Sequence, residues 1–174
     1  MATPPDFSVG QVLTAAHMDA VGLWLVKSQA VGTGVSSVTV TGAFNADYEN
    51  YYVTYTNGTA TVDTNMTLKL GSTATGYYGA MAYTNYSTGV VAGAGDSNTG
   101  LFSWGGGGTN MSSIQIFAPN LAKATEIETR VRYQAVYGVY IGVETSTTQH
   151  TAFTIAAASG TLTGGTIRVY GYRN

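Results

Sequence analysis

The two histidines are the first residues to examine for chemistry, because an imidazole can act as a general acid, a general base or a metal ligand near neutral pH. His17 lies in an alanine-rich segment and His150 in a run of hydroxyl and amide residues, and neither is directly adjacent to an acidic residue. A zinc site needs at least three protein ligands that converge. We therefore interpret both histidines as structural or solvated, and we predict no catalytic residue, no metal and no cofactor.

Three other patterns could carry chemistry, and each has a simpler interpretation. Asp47 and Glu49 flank Tyr48 and could form a carboxylate pair for catalysis or for Ca²⁺, but before a predicted strand Asp47 more simply caps a turn with its own side chain. The glycines at 105–108 lack the Lys-Ser/Thr of a phosphate-binding loop. Four Asn-X-Ser/Thr triplets match glycosylation acceptors, and without a secretory signal we interpret them as chance. The sequence therefore predicts a protein that is not an enzyme.

Tyrosine is the aromatic residue to explain, since the chain contains 13. A tyrosine has an apolar ring and a polar end, which suits half-buried strand positions, subunit interfaces and sugar stacking. We expect most of them at strand positions. The candidates for ligand contact lie in or beside the irregular stretch 84–112, and they are Tyr83, Asn85, Tyr86 and Trp104.

The low charge of the chain points to assembly. Only 9% of residues are charged, against about 25% in an average soluble domain. The net charge of −2 gives no reason to expect nucleic acid or an anionic membrane as a partner. A surface with so few charges is poorly protected from self-association. We therefore expect copies of the chain or neighbouring subunits to cover much of it.

The N-terminal region, residues 1–22, is predicted to be an attachment segment. Pro4 and Pro5 favour an extended arm, and Thr14 can cap a short helix over 15–21 that Gly22 ends. A helix of about two turns is too short to be stable alone, so a partner must stabilise it. Neither a membrane span nor a secretory signal is visible, and we expect the chain to be made in a cytoplasm. The predicted attachment residues are Phe7, Val9, Val12, Leu13, His17 and Val21.

The remainder, residues 23–174, is predicted to be all-β: an antiparallel, jelly-roll-like β-sandwich. Alternation of apolar and polar residues predicts ten strands, at 24–28, 35–40, 51–56, 64–70, 77–83, 113–117, 125–133, 138–144, 152–157 and 166–172. Asn57-Gly58 is typical of a two-residue hairpin, and Gly164-Gly165 allows positive φ angles before the last strand. We expect 84–112 to form a long folded loop. With no cysteines, the fold has no disulfides.

Two stretches resemble known phage proteins. Residues 7–18, FSVGQVLTAAHM, resemble the F-x-x-G-x-V-L-T-A-A-x-M-N opening of small tail and virion-surface proteins of actinobacteriophage type, although Asp19 stands where Asn is common. Residues 24–29, 35–44, 47–51 and 165–173 resemble segments of similar proteins, usually described as minor tail or tail fibre proteins. The resemblance implies an N-terminal piece that docks on the particle and a projecting β domain, commonly in a three-fold assembly.

We therefore expect a non-enzymatic structural protein of a bacteriophage virion, trimeric, of minor tail or tail-fibre type. Its expected partners are further copies of itself and a tail or major capsid protein. One alternative is a capsid decoration (head fibre) protein at a symmetry axis, since 174 residues is short for a fibre that must reach a receptor. Another is a module that binds host surface glycans.

Overall fold

The computed structural model describes residues 9, 10, 12, 14, 22–104, 106 and 109–173. This part of the chain is all-β and contains no helix. Its thirteen strands are β1 Leu23–Ala30, β2 Ser37–Thr41, β3 Tyr48–Ala60, β4 Met66–Leu70, β5 Tyr77–Asn85, β6 Val91–Thr99, β7 Phe102–Trp104, β8 Thr109–Phe117, β9 Thr125–Tyr133, β10 Val136–Glu144, β11 Ala152–Ala157, β12 Leu162–Thr163 and β13 Thr166–Arg173.

The strands form two antiparallel sheets in a sandwich-like arrangement, as predicted. The larger sheet has nine strands, in the order β1-β13-β3-β8-β9-β10-β5-β6, with β12 also paired to β3. The smaller sheet has four strands, in the order β2-β11-β4-β7. Ten of the strands match the predicted ones apart from their ends, and β9 and β11 match to the residue.

The core lies between the inner faces of the two sheets, and strict alternation builds it. In β9, Ile127 and Val131 are buried whereas Glu128 and Arg130 are exposed. The same pattern buries Val38 and Val40 of β2, and Phe153 and Ile155 of β11. Phe44 connects the layers, because its ring packs edge-on against Tyr51 at 4.9 Å and stacks on Phe153 at 5.5 Å.

The predicted Asn57-Gly58 hairpin is wrong, because both residues lie inside β3. Asn57 has a φ of +60°, and the pairing of β3 with β8 shifts register between Tyr55 and Gly58. The pair therefore forms a β-bulge, which uses the same left-handed backbone that a tight turn would use. A Cβ at Gly58 would collide with the Tyr55 ring, so glycine is needed for that close approach. The predicted positive φ angles of Gly164 and Gly165 are confirmed, at +68° and +84°.

The predicted long loop at 84–112 is also wrong, since β6, β7 and the start of β8 lie within it. β6 is a Gly/Ala-rich edge strand whose sequence carries little intrinsic strand preference, and its pairing with β5 outweighs that weakness. The turn before β3 is capped by Asn45 and not by Asp47: the Asn45 Oδ1 accepts a hydrogen bond from the Asp47 amide at 2.9 Å. The predicted helix at 15–21 lies outside the described residues.

Candidate functional site

The two hairpins β5/β6 and β9/β10 end side by side at one end of the large sheet. Strands β9 and β10 are joined by Gln134-Ala135 alone, because Tyr133 pairs with Val136. The amide of Tyr86, in the β5/β6 turn, donates a hydrogen bond to the carbonyl oxygen of Ala135 at 2.9 Å. The two turns are thus bonded to each other, and they form one structural unit.

Asn85 holds the β5/β6 turn in shape. Its Oδ1 accepts hydrogen bonds from the amides of Ser87 at 2.9 Å and Thr88 at 3.2 Å, and its carbonyl oxygen accepts one from Gly89 at 2.7 Å. This is the turn-capping role that asparagine fills well, because its short amide reaches backbone groups two residues ahead. The turn is therefore fixed by its own sequence.

A cavity of about 250 Å³, here called the tip groove, opens on the inner face of these hairpin ends. Its apolar lining comes from Met81, Val131, Ala135 and Val136. Its polar lining comes from Tyr83, Tyr133, Asn65, Asn85 and Gln134. None of these side chains carries a formal charge, so the tip groove presents two phenol groups and three amides around an apolar floor.

Gln134 is the strained residue of the tip groove. It has a φ of +47°, a left-handed conformation that glycine or asparagine adopts more readily than glutamine. Its Nε2 donates a hydrogen bond to the Tyr133 hydroxyl at 3.1 Å. The strained backbone thus places an amide beside a phenol at the rim of the groove.

The structure brings together two of the four predicted ligand contacts. Tyr83 and Asn85 both line the tip groove. Tyr86 is 65% exposed and packs against Tyr137, with ring centroids 5.6 Å apart. Trp104 does not join them: it is 1% exposed, its Nε1 donates a hydrogen bond to the Ser112 hydroxyl at 3.2 Å, and the ring is part of the core. Its place on the interior face of β7 explains this, since it lies opposite the buried Met66 of β4 and belongs to the hydrophobic core.

The predicted attachment residues fall largely outside the described residues. Phe7, Leu13, His17 and Val21 are among the positions not described. Val9 and Val12 are described, and both side chains are exposed.

The opposite surface of the same hairpins is an exposed apolar sheet face, here called the outer apolar face. On β10, Tyr137, Val139 and Ile141 are 51%, 44% and 58% exposed. Their side chains face away from the core, because the alternate positions Gly138, Tyr140 and Gly142 lie on the inner face of the strand. Cross-strand neighbours extend the face, with Tyr78, Ala80 and Ala82 on β5 and Val91 on β6.

Sequence reasoning missed the tip groove residues Tyr133, Gln134 and Asn65, and it missed the outer apolar face. A signal was available for both. The predicted strands at 125–133 and 138–144 are separated by a few residues, which is typical of a hairpin whose tip would include Gln134. Within 136–144, VYGVYIGVE, both alternating sets contain apolar residues, which indicates a strand with two apolar faces.

A buried pair, His150 and Glu144, lies at the other end of the sandwich. Both residues are almost fully buried, and His150 Nε2 is 3.0 Å from Glu144 Oε2. Ser146 completes the set, because its amide and its hydroxyl both donate to the Glu144 carboxylate, at 2.8 and 2.9 Å. The backbone of His150 is held by Pro119 and Asn120. The partners are thus satisfied within the protein, in agreement with a structural histidine.

Among the described residues, several buried tyrosines have a pKa raised above the ordinary value. Burial raises the pKa of Tyr77 to about 12, and its hydroxyl accepts a hydrogen bond from the Leu70 amide at 2.9 Å. Burial, followed by the hydrogen bond to Asp96, also raises the pKa of Tyr140. That hydroxyl donates to Asp96 Oδ2 at 2.8 Å. These tyrosines stay protonated near neutral pH, and their hydrogen bonds fix the strands that carry them.

Within the described residues, no group of three or more His, Cys, Asp or Glu side chains is placed to hold a metal ion. Nor does this part of the chain contain a helix with the length and hydropathy needed to cross a membrane.

Two solved structures are distantly similar to the chain. No protein-family model matches the chain, and no curated protein does. A family 32 glycoside hydrolase from Bifidobacterium adolescentis is similar over 87% of this chain and 22% of its own, at 14% identity and a TM-score of 0.38. The structure of infectious bursal disease virus Gx strain is similar over 89% of this chain and 39% of its own, at 9% identity and a TM-score of 0.15. The chain spans well under half of either, and likenesses this weak carry no argument about function.

Proposed function

We propose that this chain is a non-enzymatic structural protein of a bacteriophage particle, of minor tail or tail-fibre type, that assembles with copies of itself as a trimer. Residues 1–22 attach it to the particle, and the sandwich is displayed on the particle surface. Its partners are further copies of the chain and a tail or major capsid protein.

The observation that carries the proposal is the outer apolar face. Valine, isoleucine and tyrosine side chains that are 44–58% exposed lie next to one another on β10, and alanines extend the face onto β5. A contiguous apolar patch of this kind usually marks a protein contact, because covering it removes apolar surface from water. On its other side the face is bordered by Glu128, Arg130 and Arg132 of β9, which are exposed and lie opposite Ile141, Val139 and Tyr137, so the apolar contact would extend over β10, β5 and β6 with these charges at its polar rim.

We also propose that the sandwich is a jelly-roll-like one, an architecture that recurs in viral capsid proteins and lectins. When β1, β8, β9, β12 and β13 are set aside, eight strands remain. Numbered 1 to 8 along the chain, these strands are β2, β3, β4, β5, β6, β7, β10 and β11. The small sheet β2-β11-β4-β7 then has the order 1-8-3-6. The large sheet contains β3, β10, β5 and β6, in the order 2-7-4-5, with β8 and β9 inserted between β3 and β10. This order supports the proposal.

The test of assembly uses the Ile141→Asp variant and light scattering of the purified protein. We expect the wild-type protein to have the mass of a trimer and the variant to have a third of that mass, because a buried carboxylate in an apolar contact has no partner. Gln115→Asp is the matched control, since Gln115 is exposed on the same outer surface of the large sheet, on β8. A monomeric wild-type protein, or an Ile141→Asp protein of unchanged mass, would contradict the proposal.

The test of attachment deletes residues 1–22. We expect the shortened protein to keep the circular dichroism spectrum of a β protein and to be missing from purified particles. Incorporation at the normal copy number would show that the attachment segment lies elsewhere. Labelling the full-length protein on intact particles and imaging them then separates the tail from the capsid. Label at capsid symmetry axes would favour a decoration protein over a tail protein.

A further inference from the structure

We infer that the tip groove is a binding site for one ring of a neutral sugar. The proposal goes beyond a structural role and names a ligand class. The residues that carry it are Tyr83, Tyr133 and Gln134, over the apolar floor of Met81 and Val136.

The chemistry of the lining fits a pyranose. A pyranose ring has apolar C–H groups on its faces and hydroxyl groups around its rim. Tyrosine rings provide an apolar surface for the faces and a hydroxyl at the edge. Amides are suited to the rim, because each has both donors and an acceptor. The lining of the tip groove combines these two kinds of group.

The absence of charge among the lining side chains selects a neutral ligand. A phosphate, a carboxylate or a cation would lose its hydration on entering the groove, and no lining side chain of opposite charge would replace it. A neutral ligand avoids this cost. An entirely apolar ligand would leave the amides of Asn65 and Gln134 without the water that they contact in the open groove.

The size of the groove limits the ligand to about one ring. Its volume of about 250 Å³ is below the range of roughly 300–1,000 Å³ typical of sites for drug-sized molecules. We therefore expect one sugar residue to enter, with the rest of any glycan outside.

The walls of the groove are held in place without a ligand. Strands β5 and β10 approach closely at Gly138, where any Cβ would collide with the Ala82 carbonyl oxygen and the Tyr83 Cα, so the backbone that carries Tyr83 is fixed against the neighbouring strand. The Asn85 turn and the Tyr86–Ala135 hydrogen bond fix the two hairpin ends relative to each other. Walls that are ordered before binding lose little entropy when a ligand enters. The strained backbone of Gln134 also supports a binding site, since residues in unfavourable conformations cluster at ligand sites.

The experiment is saturation-transfer NMR on the full-length protein with glucose, galactose, mannose and arabinose as separate probes. Glucuronic acid is the charged control, and benzene is the apolar control. We expect at least one neutral sugar to receive saturation and the two control compounds to receive none. Titration of that sugar then gives its dissociation constant.

Three variants identify the site. Tyr83→Ser removes one wall and should weaken binding by roughly tenfold or more, which corresponds to about 1.4 kcal/mol. Tyr170→Ser is the matched control, because Tyr170 is half-buried on the outer surface of the same sheet, away from the groove. Gln134→Gly removes the amide from an exposed turn and should weaken binding severalfold without loss of stability, so it tests the site even if Tyr83→Ser fails to fold.

Each outcome decides the proposal. Sugar binding that Gln134→Gly weakens, and Tyr83→Ser also where that variant folds, supports the proposal if Tyr170→Ser leaves binding unchanged. No binding of any neutral sugar by the wild-type protein at tens of millimolar overturns it, as does equal binding by the wild-type and Gln134→Gly proteins. A preference for glucuronic acid or benzene overturns the ligand class.

Discussion

The strands β5 and β10 have two very different ends. At one end, Tyr77 and Glu144 are fully buried, and the Tyr77 hydroxyl and both Glu144 carboxylate oxygens have partners within the protein, whereas the buried hydroxyl of Thr125, opposite Glu144, has none among the described residues. At the other end, Asn85 and Val136 border an open groove with a strained residue at its rim. The same two paired strands therefore run from a closed end to an open end.

The two ends differ in the polar residues that they contain. At the closed end, titratable groups are enclosed and serve to fix the loop between β10 and β11 against the small sheet. At the open end, uncharged phenols and amides remain accessible. Strain is tolerated at the open end because the closed end and the core supply the stability. Substitutions at the two ends should therefore have opposite effects.

The largest effect is expected at the closed end, for Glu144→Ala. The substitution leaves the His150 ring and the amide and hydroxyl of Ser146 without their acceptor in a buried position. A buried hydrogen-bonding group left without its partner typically costs about 1–3 kcal/mol, so the loss of three such partners should lower the free energy of unfolding by about 3–5 kcal/mol. Denaturant unfolding at one fixed protein concentration measures the loss.

Two controls accompany this variant. Glu144→Gln keeps an acceptor oxygen for Ser146 and should lose less stability. Glu128→Ala removes an exposed carboxylate from β9 and should change the free energy of unfolding by no more than about 0.5 kcal/mol. If the free energy of unfolding of the Glu144→Ala protein lies within about 1 kcal/mol of the wild-type value, the contact between Glu144 and His150 does not stabilise the closed end.

A smaller effect at the same end depends on pH. The pKa of Tyr77 is raised from 10.0 to about 12 by burial, so the unfolded chain loses this proton at lower pH than the folded protein does. Its contribution to stability is therefore complete below pH 10 and is lost as the pH rises to about 12. The loss amounts to about 2–3 kcal/mol over that interval.

The Tyr77→Phe variant isolates this contribution. At neutral pH it should be less stable than the wild type, because the buried amide of Leu70 loses its acceptor. Between pH 10 and 12 the stability difference between the two proteins should narrow. Denaturant midpoints measured across this range, with tyrosinate absorbance recorded in parallel, give the comparison. A constant difference would mean that Tyr77 ionises equally in both states.

Much of the sandwich could be predicted from alternation, because burial of one strand face leaves a period of two in the sequence. This works for β2, β9 and β11, where large apolar residues alternate with polar ones. It fails for β6, whose Gly93 and Gly95 carry no side chain to reveal a face. Pairing with β5 creates that strand, and pairing between distant segments is not visible in local composition.

The tip groove could be predicted only in part. Tyr83 and Asn85 were expected to contact a ligand because tyrosine and asparagine cluster there. Trp104 is grouped with them because it lies in the stretch 84–112, which lacks clear alternation, but its side chain is buried in the core. Gln134 and Asn65 lie far from Tyr83 in the sequence. Only the register of β9, β10 and β5 brings Gln134, in the β9/β10 turn, to the same end of the sheet as Tyr83.

The smallest effect is expected at the open end and has the opposite sign. Gln134→Gly should raise the free energy of unfolding by about 0.5–1 kcal/mol, because glycine adopts the φ of +47° without the steric cost that glutamine bears. The gain is limited, since glycine also gives the unfolded chain more freedom and the hydrogen bond to Tyr133 is lost. Ala135→Gly in the same two-residue turn, where φ is not positive, should lower stability instead. Thermal midpoints of the two variants should therefore move in opposite directions, and a lower midpoint for Gln134→Gly would mean that the side chain of Gln134 stabilises the turn more than its backbone strains it.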